Sequence, residues 1–375
     1  MKIGIDAHTL EGNRTGAGRV LFNLINQWAK MDLPSDLESI LYFKKEIPED
    51  LPAHFKRKLL KPILGKQSTV LFMHWLLPRV AKKDRLDLLF CPNYIAPVFY
   101  NAKIALSLYD ISYEAKPGEF NWPSVWDRIL LKKVSKISAK KANIILTSSN
   151  FSKEEIIKYY QIKPEKVFSI PLGAEASFKR IDDLEKLKKI KDKYGIKDKF
   201  ILFLGSVFDR RHLPEIIEAF AQLCLPDYQL VIRGQDYTKK GNIADLIKKT
   251  NSKLSREAVL KKDFIEQKDL PVLYNTASLF IYLSDYEGFG LPVLEAMACG
   301  LSSITSRTSS IVEVGNDAVI YVEENTNVNE IKRAIYRGLT NKDLRQNLIK
   351  KGIDQAQRFS WQKCAKETLD KLLES

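Results

Sequence analysis

No apolar run in the sequence approaches the ~20 residues of a membrane-spanning helix, so no such span is expected. The start, Met1 to Asp6, turns from charged to apolar, but Asp6 and His8 interrupt it too early for a signal peptide. Cysteine is scarce. Cys91, Cys224, Cys299 and Cys364 show no metal-like spacing, so four buried thiols in a reducing cytoplasm are expected. Internal repeats and low-complexity tracts are lacking, as is any recognisable nucleic-acid module. No lysine stands in an evident cofactor-linking motif.

What is present points to a two-domain α/β protein. At 375 residues the chain exceeds what one core usually serves. Its composition, 45% hydrophobic and 28% charged, is that of an ordinary globular protein. The net charge of +14 is unevenly placed. Residues 1–178 hold 27 Lys/Arg against 18 Asp/Glu, and the remainder 33 against 28. Basic excess attracts nucleic acid, anionic membrane or phosphorylated ligands without choosing among them.

Short apolar runs alternate with helical patterns from end to end. Residues 2–6, 39–43, 86–90, 104–108, 143–147 and 167–170 read as strands in the first half. Residues 200–204, 229–232, 263–265, 279–283, 302–305 and 319–322 do so in the second. Such alternation means parallel sheets covered on both faces. The Lys-rich stretch 179–199 separates the two sets. Each set resembles a doubly wound nucleotide-binding domain, and two of them would face a ligand across a cleft. Ser152 to Glu155 has the pattern of a capping box, and Ser360-Trp361 opens a last amphipathic helix to about Leu373. Gly16-Ala17-Gly18 follows the first strand, where a phosphate loop and a plain tight turn explain it about equally.

The most informative segment is Ser284 to Gly300. Glu287 and Glu295 flank the turn Gly288-Phe289-Gly290, and Pro292 then opens an apolar helix. Glycines let backbone N–H groups approach a ligand, and a helix start presents unpaired donors with partial positive charge. Pro suits the first turn because its missing N–H would be an orphan there. The arrangement fits an anion such as a diphosphate, and carboxylates accept from paired hydroxyls as sugars offer them. A solvated loop glutamate before a core helix is the plainer alternative, but the strand-turn-helix order favours the ligand site.

With these residues placed, the chain resembles retaining glycosyltransferases of the GT-B type, most of all the large family 4 that includes bacterial mannosyl- and glucosyltransferases. The likeness runs through Asp6–Gly18, Asp87–Tyr94, Thr147–Ser152, Ile170–Gly173, Gly205–Leu213 and residues 284–300 with Ser309–Glu313. It implies the GT-B fold, two doubly wound Rossmann-like domains facing each other across a cleft. Residues 1–178 would bind the acceptor and 179–355 the nucleotide sugar, with 356–375 packing back on the first domain. By the same resemblance Glu287 contacts the sugar and Glu295 the ribose. Gly288 and the N–H groups of Phe289, Gly290 and Leu291 reach sugar and diphosphate, Gly16 and Gly18 face the donor, and Phe264 and Ile265 border the base. Glu313 is a weaker candidate. No Asp-x-Asp occurs, so no metal or other cofactor is expected, and Arg210, Arg211 and the helix terminus would stabilise the leaving diphosphate.

The chain departs from the family at three places. Arg210-Arg211-His212 stands for the usual Arg-Lys-Asn, which keeps the charge and adds a bidentate fork. Ser206 replaces a donor-binding Arg of some members. Tyr109-Asp110 replaces a frequent His-Asp, and Tyr109 cannot act like an imidazole near pH 7. Front-face attack, in which the leaving phosphate takes the acceptor proton, makes a base at 109 dispensable. Packing is as good a reading of Tyr109 as catalysis. Residues 54–85 and 120–141 mix aromatics with lysines, which suits an anionic membrane face or, at even odds, a core helix with a solvated side. The expected partners are a nucleotide-sugar donor, a saccharide or polyprenyl-diphosphate-linked acceptor and the cytoplasmic face of the membrane, with no nucleic acid. A catalytically silent nucleotide-sugar or nucleic-acid binder on the same fold is the alternative.

Overall fold

The computed structural model describes every residue except Thr15, 62–67, 118–124 and 239–240, and the side chains of 125–130. It divides into two compact units, one of Met1–Ala115, Trp122–Gly173 and Ser360–Ser375, the other of Lys116–Asn121 and Ala174–Phe359.

The first unit holds seven strands: β1 (Lys2–Asp6), β2 (Glu38–Phe43), β3 (Lys56–Leu59), β4 (Leu88–Cys91), β5 (Lys103–Ser107), β6 (Ile144–Thr147) and β7 (Val167–Ser169). They pair in parallel in the order β3-β2-β1-β4-β5-β6-β7. The second holds six: β8 (Lys199–Leu204), β9 (Tyr228–Arg233), β10 (Val259–Lys262), β11 (Leu279–Tyr282), β12 (Ser303–Ser306) and β13 (Ile320–Val322). Their order is β10-β9-β8-β11-β12-β13, again parallel. Central strands such as Phe200–Leu204 and Leu279–Tyr282 are buried along their length because helices cover both faces. Strand order reverses between β8 and β11, which opens a crevice at their carboxyl ends where α/β folds bind ligands.

Two strands differ from the sequence reading, and both lie at sheet edges. β3 is the basic run Lys56-Arg57-Lys58-Leu59, whose lysines pair with Glu38 at 2.9 Å and Asp84 at 2.6 Å. Charged edges of this kind protect a sheet from further pairing, so hydrophobicity does not announce them. β10 ends at Lys262, so the expected strand 263–265 is the loop that follows it.

The cap of the Asn150–Tyr160 helix also lies earlier than expected. Ser149 accepts from Ser152 N at 3.1 Å, while the Ser152 hydroxyl donates to Tyr109 O. Ser360 caps Trp361–Leu373 as its sequence suggests. Trp28 Nε1 donates to Ala365 O at 2.8 Å, tying that helix to Ala17–Trp28. Three of the four cysteines are buried, but Cys224 is exposed.

Of the apolar residues read as a surface, Phe55, Leu60 and Phe72 belong to the core instead. Trp75 is 38% exposed with the Arg79 guanidinium 3.6 Å over its ring, and Val70 is exposed nearby in sequence. Residues 120–124 of the second basic-aromatic stretch lie outside the described residues. Among the described residues no helix is long and apolar enough to cross a membrane.

Candidate active site

The loops at the reversal of strand order in the second unit carry most of the expected donor residues. From β8 the chain runs through Gly205, Ser206 and a single helical turn, Asp209–Arg211, into the Leu213–Gln222 helix. From β11 it runs through Ser284–Gly290 into Leu291–Ala298, with Gly290 at positive φ (108°) before the helix and Pro292 in its first turn. The loops are joined by a backbone bond, Asp285 N to Arg210 O, at 3.0 Å.

Glu287 is held from several sides. Arg211 Nε and Nη2 donate to its Oε1 at 3.1 Å each, and the Tyr282 and Ser284 hydroxyls donate to the same oxygen at 2.9 Å. Its backbone is clamped too: Glu287 N donates to Ser309 Oγ, and Ser310 Oγ donates to Glu287 O. Burial disfavours the carboxylate charge, but the Arg211 and Arg210 charges with the Ser284 and Tyr282 hydroxyls hold its pKa below the ordinary value. The side chain retains 13% exposure. With Oε1 saturated, Oε2 is the oxygen that can accept from a ligand hydroxyl.

Arg211 is engaged by its own chain on both loops. It is buried, its Nη1 donates to Ser206 O at 2.6 Å, and its ring-facing contact is Tyr282 at 4.9 Å. Gly205 makes this possible, since a Cβ there would stand 2.6 Å from Arg211 Nη1. Arg211 therefore ties the two loops and orients Glu287. Arg210 lies over the Phe208 ring at 4.5 Å and donates to Tyr286 O, adding positive charge beside Glu287.

The N–H groups of Phe289, Gly290 and Leu291 donate to no acceptor among the described residues. They stand at the helix start, where such donors suit an anion, while the Phe289 ring packs edge-on against Phe359 at 5.6 Å. Glu295 is only 1% exposed, with Tyr274 Oη donating to its Oε2 at 3.1 Å. Phe264 is 67% exposed just beyond β10, whereas Ile265 is fully buried, so only Phe264 can present its side chain to a base. Glu313 lies on the short helix Ile311–Gly315, one turn after the serines that clamp Glu287.

The first-unit candidates look less like reaction groups. Tyr109 turns into the core of its own unit, its hydroxyl buried beside Ser107 and its pKa raised by burial. In this structure it packs within its own unit. Asp110 accepts from Ser112 N and Oγ and so starts the short helix Ser112–Ala115. Gly16 precedes Ala17–Trp28 at positive φ with open space above it, while a Cβ on Gly18 would meet Thr9 O at 2.1 Å. Gly18 is thus required for packing.

The residues missed from sequence are the ones behind the glutamate: Tyr282, Ser284, Ser309, Ser310, Asp285 and His212. A signal existed, since Tyr282 and Ser284 are hydroxyls inside an otherwise apolar strand run.

The two parallel-sheet Rossmann-like units are those of the GT-B fold. Residues 186–355 match the family model of glycosyl transferases group 1. The chain is similar to O-antigen chain mannosyltransferase B of Escherichia coli, at 27% identity over 389 residues and 99% of both chains. It is 30% identical over 229 residues to the serotype-specific mannosyltransferase WbdA of Escherichia coli, covering 59% of this chain and 28% of that one. Among solved structures, sucrose-phosphate synthase of Thermosynechococcus elongatus superposes with a TM-score of 0.77 at 17% identity, over 100% of this chain and 98% of its own.

Proposed function

We propose that the protein is a retaining mannosyltransferase that moves mannose from a nucleoside-diphosphate donor, GDP-mannose, to a saccharide acceptor of a surface polysaccharide or glycolipid, without a metal ion. The observation that carries this reading is the turn 287–291. It sets a charged carboxylate with one oxygen free next to three unused backbone N–H groups, which suits a sugar hydroxyl beside a diphosphate. Mannose is chosen because the end-to-end relative is named for mannosyl transfer.

In this reading Glu287 Oε2 accepts from a sugar hydroxyl, and the N–H groups of Phe289, Gly290 and Leu291 meet the diphosphate. The bond from the anomeric carbon to the phosphate oxygen breaks while the acceptor oxygen bonds to the same face. The acceptor proton passes to the departing phosphate, so no side-chain base is needed. Charge growing on the leaving group is met by preorganised N–H dipoles and by the positive charge of Arg210. Glu295 reaches the ribose and Phe264 flanks the base. The acceptor is carried on a polyprenyl diphosphate, and the first unit docks on an anionic leaflet through Trp75, Val70 and Arg79.

The test is release of nucleoside diphosphate from GDP-mannose, UDP-glucose and UDP-N-acetylglucosamine with EDTA present, and the anomeric configuration of the product by NMR. Release from GDP-mannose with an α-linked product supports the reading; an inverted product or strict need for a divalent ion contradicts it. The inward turn of Tyr109 favours one second reading, a silent nucleotide-sugar binder, which would bind donor yet show neither transfer nor slow hydrolysis.

A further inference from the structure

His212 and Asp285 take no part in the donor contacts described above, yet they are the best-connected pair behind them. His212 Nε2 lies 2.7 Å from Asp285 Oδ2, and the ring is almost fully buried. The other oxygen, Oδ1, accepts from Asn325 Nδ2 at 2.8 Å. Asn325 Oδ1 accepts from the Ser306 hydroxyl at 2.7 Å, and Ser306 Oγ accepts from Ser284 N at 2.8 Å. A polar chain thus crosses the carboxyl ends of the second sheet from β13 to the start of the Leu213–Gln222 helix.

We propose that His212 and Asp285 form a positioning couple that fixes the loop bearing Arg210 and Arg211 against the turn bearing Glu287, and so sets the spacing at which donor sugar and diphosphate are held. This rests on the donor-site reading given under Proposed function.

Three observations carry it. His212 adopts the left-handed region (φ 49°, ψ 35°), which a residue with a side chain takes up only at a cost. It stands at the helix N-cap, but its side chain makes no capping bond, so the backbone turn serves to aim the ring at Asp285. Asp285 is also bound through its N–H to Arg210 O, so the couple and the backbone bond grip the same two loops. The His212–Asp285 bond thus adds a side-chain tie to the Arg211–Glu287 contact and to the backbone bond between the same loops.

The charges facing the pair agree with this role. Burial opposes charge on His212, but the hydrogen bond to Asp285 and the nearby Glu215 carboxylate outweigh it and push its pKa up to about 9. Glu215, on the following helix, stands 3.9 Å from Nδ1. Asp285 is kept ionised against its own burial by His212, Asn325 and the charge of Lys116. The ring is an imidazolium at neutral pH, bonded to a carboxylate.

Two measurements on the full chain test the couple. The first is a pH titration of ¹⁵N-histidine-labelled protein by NMR. The chain has four histidines, and the His212→Gln variant identifies the ring in question. Its titration is expected near pH 9 and should fall toward the ordinary histidine range in Asp285→Asn. Titration of wild type near 6.5, or an unchanged value in Asp285→Asn, overturns the couple. The second is hydrolysis of GDP-mannose, read as GDP release from pH 6 to 10. His212→Gln, which keeps a neutral donor and checks for folding by circular dichroism, should lose about tenfold in kcat with little change in KM. Its alkaline limb near pH 9 should vanish. Wild-type kcat with the same limb in that variant overturns the positioning role. If wild type neither hydrolyses donor nor transfers its sugar to a saccharide acceptor, the transferase reading falls and takes the positioning role with it, while the NMR titration still decides whether the couple exists.

Discussion

Arg211 meets Glu287 side-on, with Nε and Nη2 both 3.1 Å from the single oxygen Oε1 and Nη1 on the Ser206 carbonyl. The guanidinium is therefore a brace between two loops. Removing one partner of a buried ion pair leaves an uncompensated charge, which costs about 3–5 kcal/mol. Arg211→Ala is expected to lose stability of that order in urea unfolding. Adding Glu287→Gln to it should restore part of the loss, because no lone carboxylate then remains. Equal stability of single and double variants would mean the pair is not coupled.

Glu287→Gln alone keeps the shape of the turn and removes the charge. It is expected to lower turnover about 100-fold, the scale of losing one preorganised polar contact in a transition state. Nucleoside diphosphate affinity by calorimetry should change little if, as proposed, the backbone N–H groups of 289–291 face the phosphates. Loss of affinity with turnover intact would reverse these assignments.

Stability should fall at alkaline pH through His212. Its pKa rises from 6.5 in the unfolded chain to about 9 in the fold. The stabilisation is then fully present below pH 6.5 and is lost as pH passes about 9. A rise of that size corresponds to at most ~3 kcal/mol. Urea midpoints at pH 6.5 and 9.5 measure it, with His212→Gln as the flat control. A wild-type midpoint that does not fall between those values would contradict the imidazolium.

Gly205→Ala places a Cβ where Arg211 Nη1 now lies and does so at φ 138°, a region L side chains rarely adopt. The expected outcome is displacement of Arg211 and weaker thermal stabilisation by GDP. Unaltered GDP response in this variant would show that the brace is dispensable for donor binding.

Trp75→Ala should reduce co-sedimentation with vesicles containing anionic lipid while leaving binding to neutral vesicles unchanged. Equal binding of wild type to both vesicle types would remove the membrane face from the proposal.

The two parallel sheets were legible because their central strands are continuous apolar runs, such as Phe200–Leu204 and Leu279–Tyr282. β3 was not, because Lys56-Arg57-Lys58 on an edge carries charge where a central strand carries Val or Ile. At the site, the turn 287–291 stood out through its glycines and proline. Tertiary partners decided the rest: nothing in the sequence says that Arg211 donates to Ser206 O and Glu287. Likewise Tyr109 ends a strand at a family-typical position, but burial of its hydroxyl depends on how the chain's last helix packs over that strand end.

The most direct test of the donor site is a thermal shift of the purified protein against GDP-mannose, UDP-glucose, UDP-N-acetylglucosamine and the free nucleotides, with EDTA present and Glu295→Ala alongside. A ligand at 100 times its dissociation constant adds about 2.7 kcal/mol to the folded state, a readily measured shift. Stabilisation by GDP-mannose and GDP that is lost in Glu295→Ala is the expected result. A flat response to every nucleotide would contradict a donor site built on the 287–291 turn.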